Sequence, residues 1–165
     1  MTLHRRDVLG LPALSQQDGR AVGRVADLIF SSGGDRVIGL LLEGGSWWRR
    51  RLVPYEEVAA IGPAAVMLRQ PVVLDAADGR RLSRLRRTHA SAIGLRVLTR
   101  DGRDLGIVHD VCFAGDSGQV TGYLLSGGPV DDWVAGRAFV PLEQIVRQPA
   151  GKDGETPALL LTTPV

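Results

Sequence analysis

At 165 residues, 44% of them hydrophobic and 23% charged, the chain suits one ordinary domain or two of about eighty residues, and it is too apolar to be disordered. A formal charge of only +2 excludes wholesale coating of nucleic acid but leaves room for a local basic patch. The single cysteine, Cys112, excludes an intrachain disulfide, and no run approaches the roughly 18 apolar residues of a membrane span, so a cytoplasmic protein is expected.

The chain opens with His4-Arg5-Arg6-Asp7 and the apolar piece Val8-Leu9-Gly10-Leu11. This faintly suggests a twin-arginine export signal, but the apolar run is too short and has no small-residue cleavage site. It reads instead as the start of a first module. Asp18-Gly19 is a strong turn signal, because glycine accepts the positive φ such turns need. Ala21 to Phe30, with Val22, Val25 and Ile29, reads as a strand. A second turn over Ser31 to Asp35 leads to a strand at Val37 to Leu42, then a hairpin at Gly44-Gly45 and a strand entering Val53-Pro54. Proline cannot donate to a ladder and ends that strand. Tyr55 to Val58 predicts one short helical turn, and Val66-Met67-Leu68 a final strand.

The same order then recurs. Residues 18–30, DGRAVGRVADLIF, lie over residues 101–113, DGRDLGIVHDVCF, at a spacing of 83, and 13 of the 28 positions from Asp18 to Gly45 are identical in the two copies. Ala92-Ile93-Gly94-Leu95 repeats the apolar opening. Gly115 to Gly118 repeats the second turn, Val120 to Leu125 the next strand, and Gly127-Gly128 the glycine pair. Four extra residues follow before Val140-Pro141, the turn Leu142 to Ile145 and the strand Leu159-Leu160-Leu161. The chain is a tandem duplication. About five short strands per copy, with no long amphipathic helix, predict an all-β protein made of two small antiparallel barrels. The expected division is 1–75 and 91–165, joined by an arginine-rich linker over 76–90. Modules this small bury a modest fraction of their surface and gain from packing on a partner.

The ordered set of Asp-Gly, glycine, Val-x-Asp, strand glycine and Val-Pro resembles the PRC-barrel family. It is carried by Asp18, Gly19, Gly23, Val25, Asp27, Gly39, Val53 and Pro54, and again by Asp101, Gly102, Gly106, Val108, Asp110, Gly122, Val140 and Pro141. The resemblance covers most of both halves, leaving out the linker and residues 149–157. It implies a barrel that serves as a docking surface, as in the cytoplasmic domain of the photosynthetic reaction-centre H subunit or the C-terminal domain of the ribosome maturation factor. The first half here is another barrel, and there is no membrane-anchoring helix, so neither specific role transfers.

No catalytic constellation is legible. Asp27 and Asp110 recur without a second carboxylate beside them, and are expected to accept backbone N–H bonds where their strands end in turns. His4, His89, His109 and Cys112 lack metal-ligand spacing, and His109 and Cys112, three apart on a strand, face opposite ways. Cys112 aligns with Ile29 and should fill the same core slot. No catalytic residue, metal or cofactor is therefore expected, and the chain is read as a non-catalytic adaptor.

Two segments carry the binding expectation. In the linker, Arg80, Arg81, Arg84, Arg86 and Arg87 surround Leu82 and Leu85; as a helix, this would place both leucines on one face. Such arginines grip phosphates of RNA or an anionic membrane surface, or else form a solvated spacer. The hairpin Trp47-Trp48-Arg49-Arg50-Arg51 should turn at least one tryptophan outward, as binding hot spots and membrane interfaces do. Its counterpart, Val130-Asp131-Asp132-Trp133, is acidic and again aromatic. The expected partner is another protein or the cytoplasmic face of a membrane complex, with self-association through the Trp/Arg and Asp/Trp loops a sharper form. The alternative is an RNA-binding or ribosome-assembly factor using the arginines.

Overall fold

The computed structural model describes residues 1–44, 50–70, 92–127, 138–147 and 158–162. They fall into two compact units, Met1–Ser91 with Phe113–Val120, and Ala92–Cys112 with Thr121–Val165.

The first unit begins with a short strand β1 (Thr2–His4) and a single helical turn α1 (Arg5–Val8), neither legible in the sequence. Strands β2 (Pro12–Ser15), β3 (Ala21–Phe30), β4 (Val37–Glu43) and β5 (Arg51–Pro54) follow. A 3-10 turn at Tyr55–Glu57 then leads to β6 (Val58–Ile61) and β7 (Val66–Leu68). The strand order is β5-β4-β3-β2-β7-β6. β3, rich in valine and isoleucine, is the long central ribbon, and its register slips between Val25 and Asp27 at a β-bulge. Leu40, Leu41 and Leu42 are all buried, so both faces of β4 are covered.

The second unit contains β8 (Arg96–Leu98), β9 (Asp104–Ala114), β10 (Val120–Ser126) and β11 (Phe139–Pro141). A 3-10 turn at Leu142–Gln144, β12 (Ile145–Arg147) and β13 (Leu159–Leu161) complete it. Its order, β11-β10-β9-β8-β13-β12, repeats that of the first strand for strand. β1 also pairs with β9, whose last residues, Phe113 and Ala114, belong to the first unit.

Two expectations change. Each copy has six strands of this set rather than five, because Val58 and Ile145 leave the helical turn directly into a strand. The sheets are also not wholly antiparallel. β7 runs parallel to β2, and β13 parallel to β8. The reason is topological: β6 and β7 form an antiparallel hairpin whose second strand returns beside β2 in the same sense. The intervening β3 to β6 supply the long connection that a parallel pair needs. Among the described residues, the pairing path of each sheet is open, from β5 to β6 and from β11 to β12.

Both units contain buried apolar side chains. In the first these include Val25, Leu28, Leu40, Val53, Val66 and Leu68; in the second, Val97, Val108, Val111, Tyr123, Leu125 and Leu159. Cys112 is buried as Ile29 is, in the core slot the alignment assigns to it.

Candidate functional site

The side chains that repeat between copies act on the backbone. Gly19 (φ +69°) and Gly102 (φ +85°) occupy the left-handed region that the Asp-Gly turns require. Beneath each turn sits a buried hydroxyl that sequence reasoning missed, Ser15 in one copy and Thr99 in the other. The second turn is one residue shorter, which moves these two out of the 83-residue register. The Arg103 N–H donates to Thr99 Oγ1 at 2.9 Å, and the Thr99 hydroxyl donates to the Asp101 carboxylate. The Thr99 hydroxyl bond holds the Asp101 carboxyl below its ordinary range. The Arg20 backbone N–H, followed by the Ser15 hydroxyl, does the same for Asp18.

Asp27 and Asp110 also serve structure, though not where a strand ends. Each Oδ1 accepts the N–H of the next residue at 2.9 Å, Leu28 and Val111, inside a strand. In β3 this lies beside the bulge, where the ladder is interrupted. Asp27 also accepts from Arg5 Nη2 at 2.7 Å. Gly39 faces Pro54 and Gly122 faces Pro141 across the sheet. A Cβ at Gly122 would lie 2.4 Å from the Val140 carbonyl oxygen and 2.6 Å from the Phe139 ring, so only glycine fits there. A Cβ at Gly23 would come within 2.8 Å of the Glu43 carbonyl oxygen.

The first unit contains a pairing of two equivalent turns that the sequence did not signal. The Val37 N–H donates to the Gly118 carbonyl oxygen at 2.7 Å, and the Val120 N–H to the Asp35 carbonyl oxygen at 2.8 Å. Positions 35 and 118, and 37 and 120, are repeat mates, so the two bonds are reciprocal. They flank an antiparallel bridge between another pair of mates, Arg36 and Gln119. Tyr55 secures the turn. Its hydroxyl donates to the Gly115 carbonyl oxygen at 2.9 Å, and its ring packs edge-on against Phe113 with centroids 6.5 Å apart. Burial, with Asp116 nearby, pushes the phenol up to about 12. The repeat mate of Tyr55 is Leu142, which cannot donate. That difference sets the tyrosine apart but does not point to the bridge itself.

Of the residues expected to bind a partner, Arg50 and Arg51 fall within the described parts. Arg50 is exposed. Arg51 is half-buried in β5, where its Nη1 reaches the Val22 carbonyl oxygen at 3.4 Å. It therefore also supports the sheet. Trp47, Trp48, Arg49, Arg80, Arg81, Arg84, Arg86, Arg87, Asp131, Asp132 and Trp133 lie outside the described residues. Among the described residues, no three His, Cys, Asp or Glu side chains group as metal ligands. None of the described helices is long and apolar enough to cross a membrane.

A six-stranded sheet and a seven-stranded one that adds β1, with the same order of six strands and the same glycine positions, define a mostly-β tandem protein. The model of the PRC-barrel domain family matches twice, over residues 2–75 and 88–153. The chain belongs to the PRC-barrel domain family, as a tandem duplicate. None of the curated proteins matches it.

Proposed function

We propose that this chain is a non-catalytic interaction module, working as an adaptor on another protein or on the cytoplasmic face of a membrane complex. Domains of this family generally mediate protein interactions. The observation that carries the reading is where the repeats agree and where they part. They share a strand order, the buried hydroxyl turns and the Gly-Pro strand contacts, all of which serve the fold. They diverge between the glycine pair and Val-Pro, where one sequence reads Trp-Trp-Arg-Arg-Arg and the other carries Asp131, Asp132 and Trp133. A connecting segment that changes in charge and length on a retained scaffold is how a duplicated module acquires a partner-facing loop. On this reading each sheet curls around its own interior as a barrel.

The test is capture from native lysate at moderate salt, with the wild-type chain beside a Trp47→Ala/Trp48→Ala variant of unchanged circular dichroism. The expected result is one co-purifying protein that the variant loses. Retardation of RNA with a steep log–log salt slope would instead support phosphate binding by the linker arginines. Flotation with anionic vesicles would place the partner surface on a membrane.

A further inference from the structure

The reciprocal pairing of the two equivalent turns has a property that most intramolecular contacts lack. Both hydrogen bonds join main-chain atoms at repeat-related positions, so the edge offered by Asp35–Val37 and the edge offered by Gly118–Val120 are versions of one surface. The residues at the bridge, Arg36 and Gln119, are both exposed and chemically different, so no side-chain pair fixes the match. What fixes it is backbone shape. Gly118 sits at φ +72°, and a Cβ there would lie 2.7 Å from the Val37 carbonyl oxygen and 3.0 Å from the Tyr55 ring. The docked segment, Phe113–Val120, belongs to the first unit although residues of the second flank it on both sides in sequence.

We propose that Asp35–Val37 is a self-recognition edge whose second occupant is the 118–120 segment of another copy of this chain. Because 113–120 is the turn between β9 and β10, two chains would trade it together with those strands, keeping both hydrogen bonds, the Tyr55–Gly115 bond and the Phe113 contact. Exchange of an identical element is a low-cost route to a closed two-fold dimer. The balance is set by chain concentration against the effective concentration within one chain. The edge uses none of the residues of the Trp/Arg and Asp/Trp segments and stands whether or not they bind anything.

The test uses the full chain in a Cys112→Val background, which frees the thiol chemistry for introduced cysteines. Residues 36 and 119 form a pair flanked by hydrogen bonds rather than sharing them, so their Cα atoms stand about 4.5 Å apart, a separation a disulfide spans. The double variant Arg36→Cys/Gln119→Cys, oxidised when dilute, should give a cross-linked monomer. Separate Arg36→Cys and Gln119→Cys chains, unfolded together and refolded at high concentration, should give covalent heterodimers well above the share random thiol pairing produces. Heterodimers at or below that share overturn the exchange. Failure of the double variant to cross-link, with its circular dichroism unchanged, overturns the pairing itself.

Discussion

The Tyr55 hydroxyl donates to the Gly115 carbonyl oxygen across 2.9 Å, joining residues 60 positions apart within the first unit. Replacing Tyr55 by Phe keeps the edge-on contact with Phe113 and removes only this bond. A part-buried carbonyl is then left without its donor, at a cost of about 1–2 kcal/mol. Urea unfolding should show a lower midpoint with an unchanged slope.

The same side chain predicts a pH dependence. Its folded pKa of about 12 stands above the ordinary value of 10.0, so between these values the unfolded state releases a proton that the folded state keeps. The contribution is therefore complete below pH 10 and is lost as pH rises towards 12. The stability gap between wild type and Tyr55→Phe should narrow over that window. Ultraviolet titration should show that the variant has lost a phenol ionising near 12.

Glycines of identical repeat position should respond unequally. At Gly122 an added methyl meets the Val140 carbonyl oxygen at 2.4 Å, whereas at Gly39 the nearest atoms, Leu52 Cδ1 and the Val53 carbonyl oxygen, stand at 3.0 Å. Phe139 is half exposed and its ring has room to swing away; the Val140 carbonyl is tied into the sheet. Gly122→Ala should cost about 1–3 kcal/mol, as overpacking of a tight interior does, and Gly39→Ala less. Denaturant midpoints of the two variants check the order.

How much of this was legible follows from what each feature rests on. Strand β3, its turns and β4 announce themselves locally, because branched residues bounded by Asp-Gly and glycine runs need no tertiary context. The parallel placement of β7 beside β2 has no local signature, since pairing sense depends on the path between the strands. Val58–Ile61 was hidden behind the Tyr55 turn, where four residues carry too little periodicity to separate strand from helix. Ser15 and Thr99 escaped because a one-residue difference in turn length shifts them off the repeat register. The bridge of Arg36 to Gln119 escaped for a different reason: backbone recognises backbone there, and the side chains carry no code. Asp27 and Asp110 were legible as structural, but their place inside a strand, with a bulge beside Asp27, was not.

Asp27 and Asp110 provide a graded test of the structural reading. Both accept the following N–H, but Asp110 is fully buried, whereas the Asp27 side chain is about a third exposed. Asp27→Ala should cost about 1 kcal/mol, and a cycle with Arg5→Ala should return a coupling of about 1 kcal/mol or less, since the ion pair is partly solvated. Asp110→Ala strands a buried N–H and should cost about 1–3 kcal/mol. Equal losses at the two positions would contradict the difference in burial.

Thr99 predicts both a stability change and a titration change. Thr99→Val preserves shape but removes the oxygen that accepts the Arg103 N–H and donates to Asp101, at a cost of about 1 kcal/mol for the lost backbone bond. The Asp101 carboxyl should then rise towards its ordinary value of 3.8, because the largest influence lowering it is this hydroxyl. A depressed folded value contributes stability that is present above 3.8 and is lost as pH falls through the lower folded value. Acid unfolding of the wild type should therefore carry a component below pH 3.8 that the valine variant lacks. Carboxyl resonances followed by nuclear magnetic resonance would read the Asp101 shift directly. An Asp101 titration identical in both proteins would show that the hydroxyl does not govern the turn.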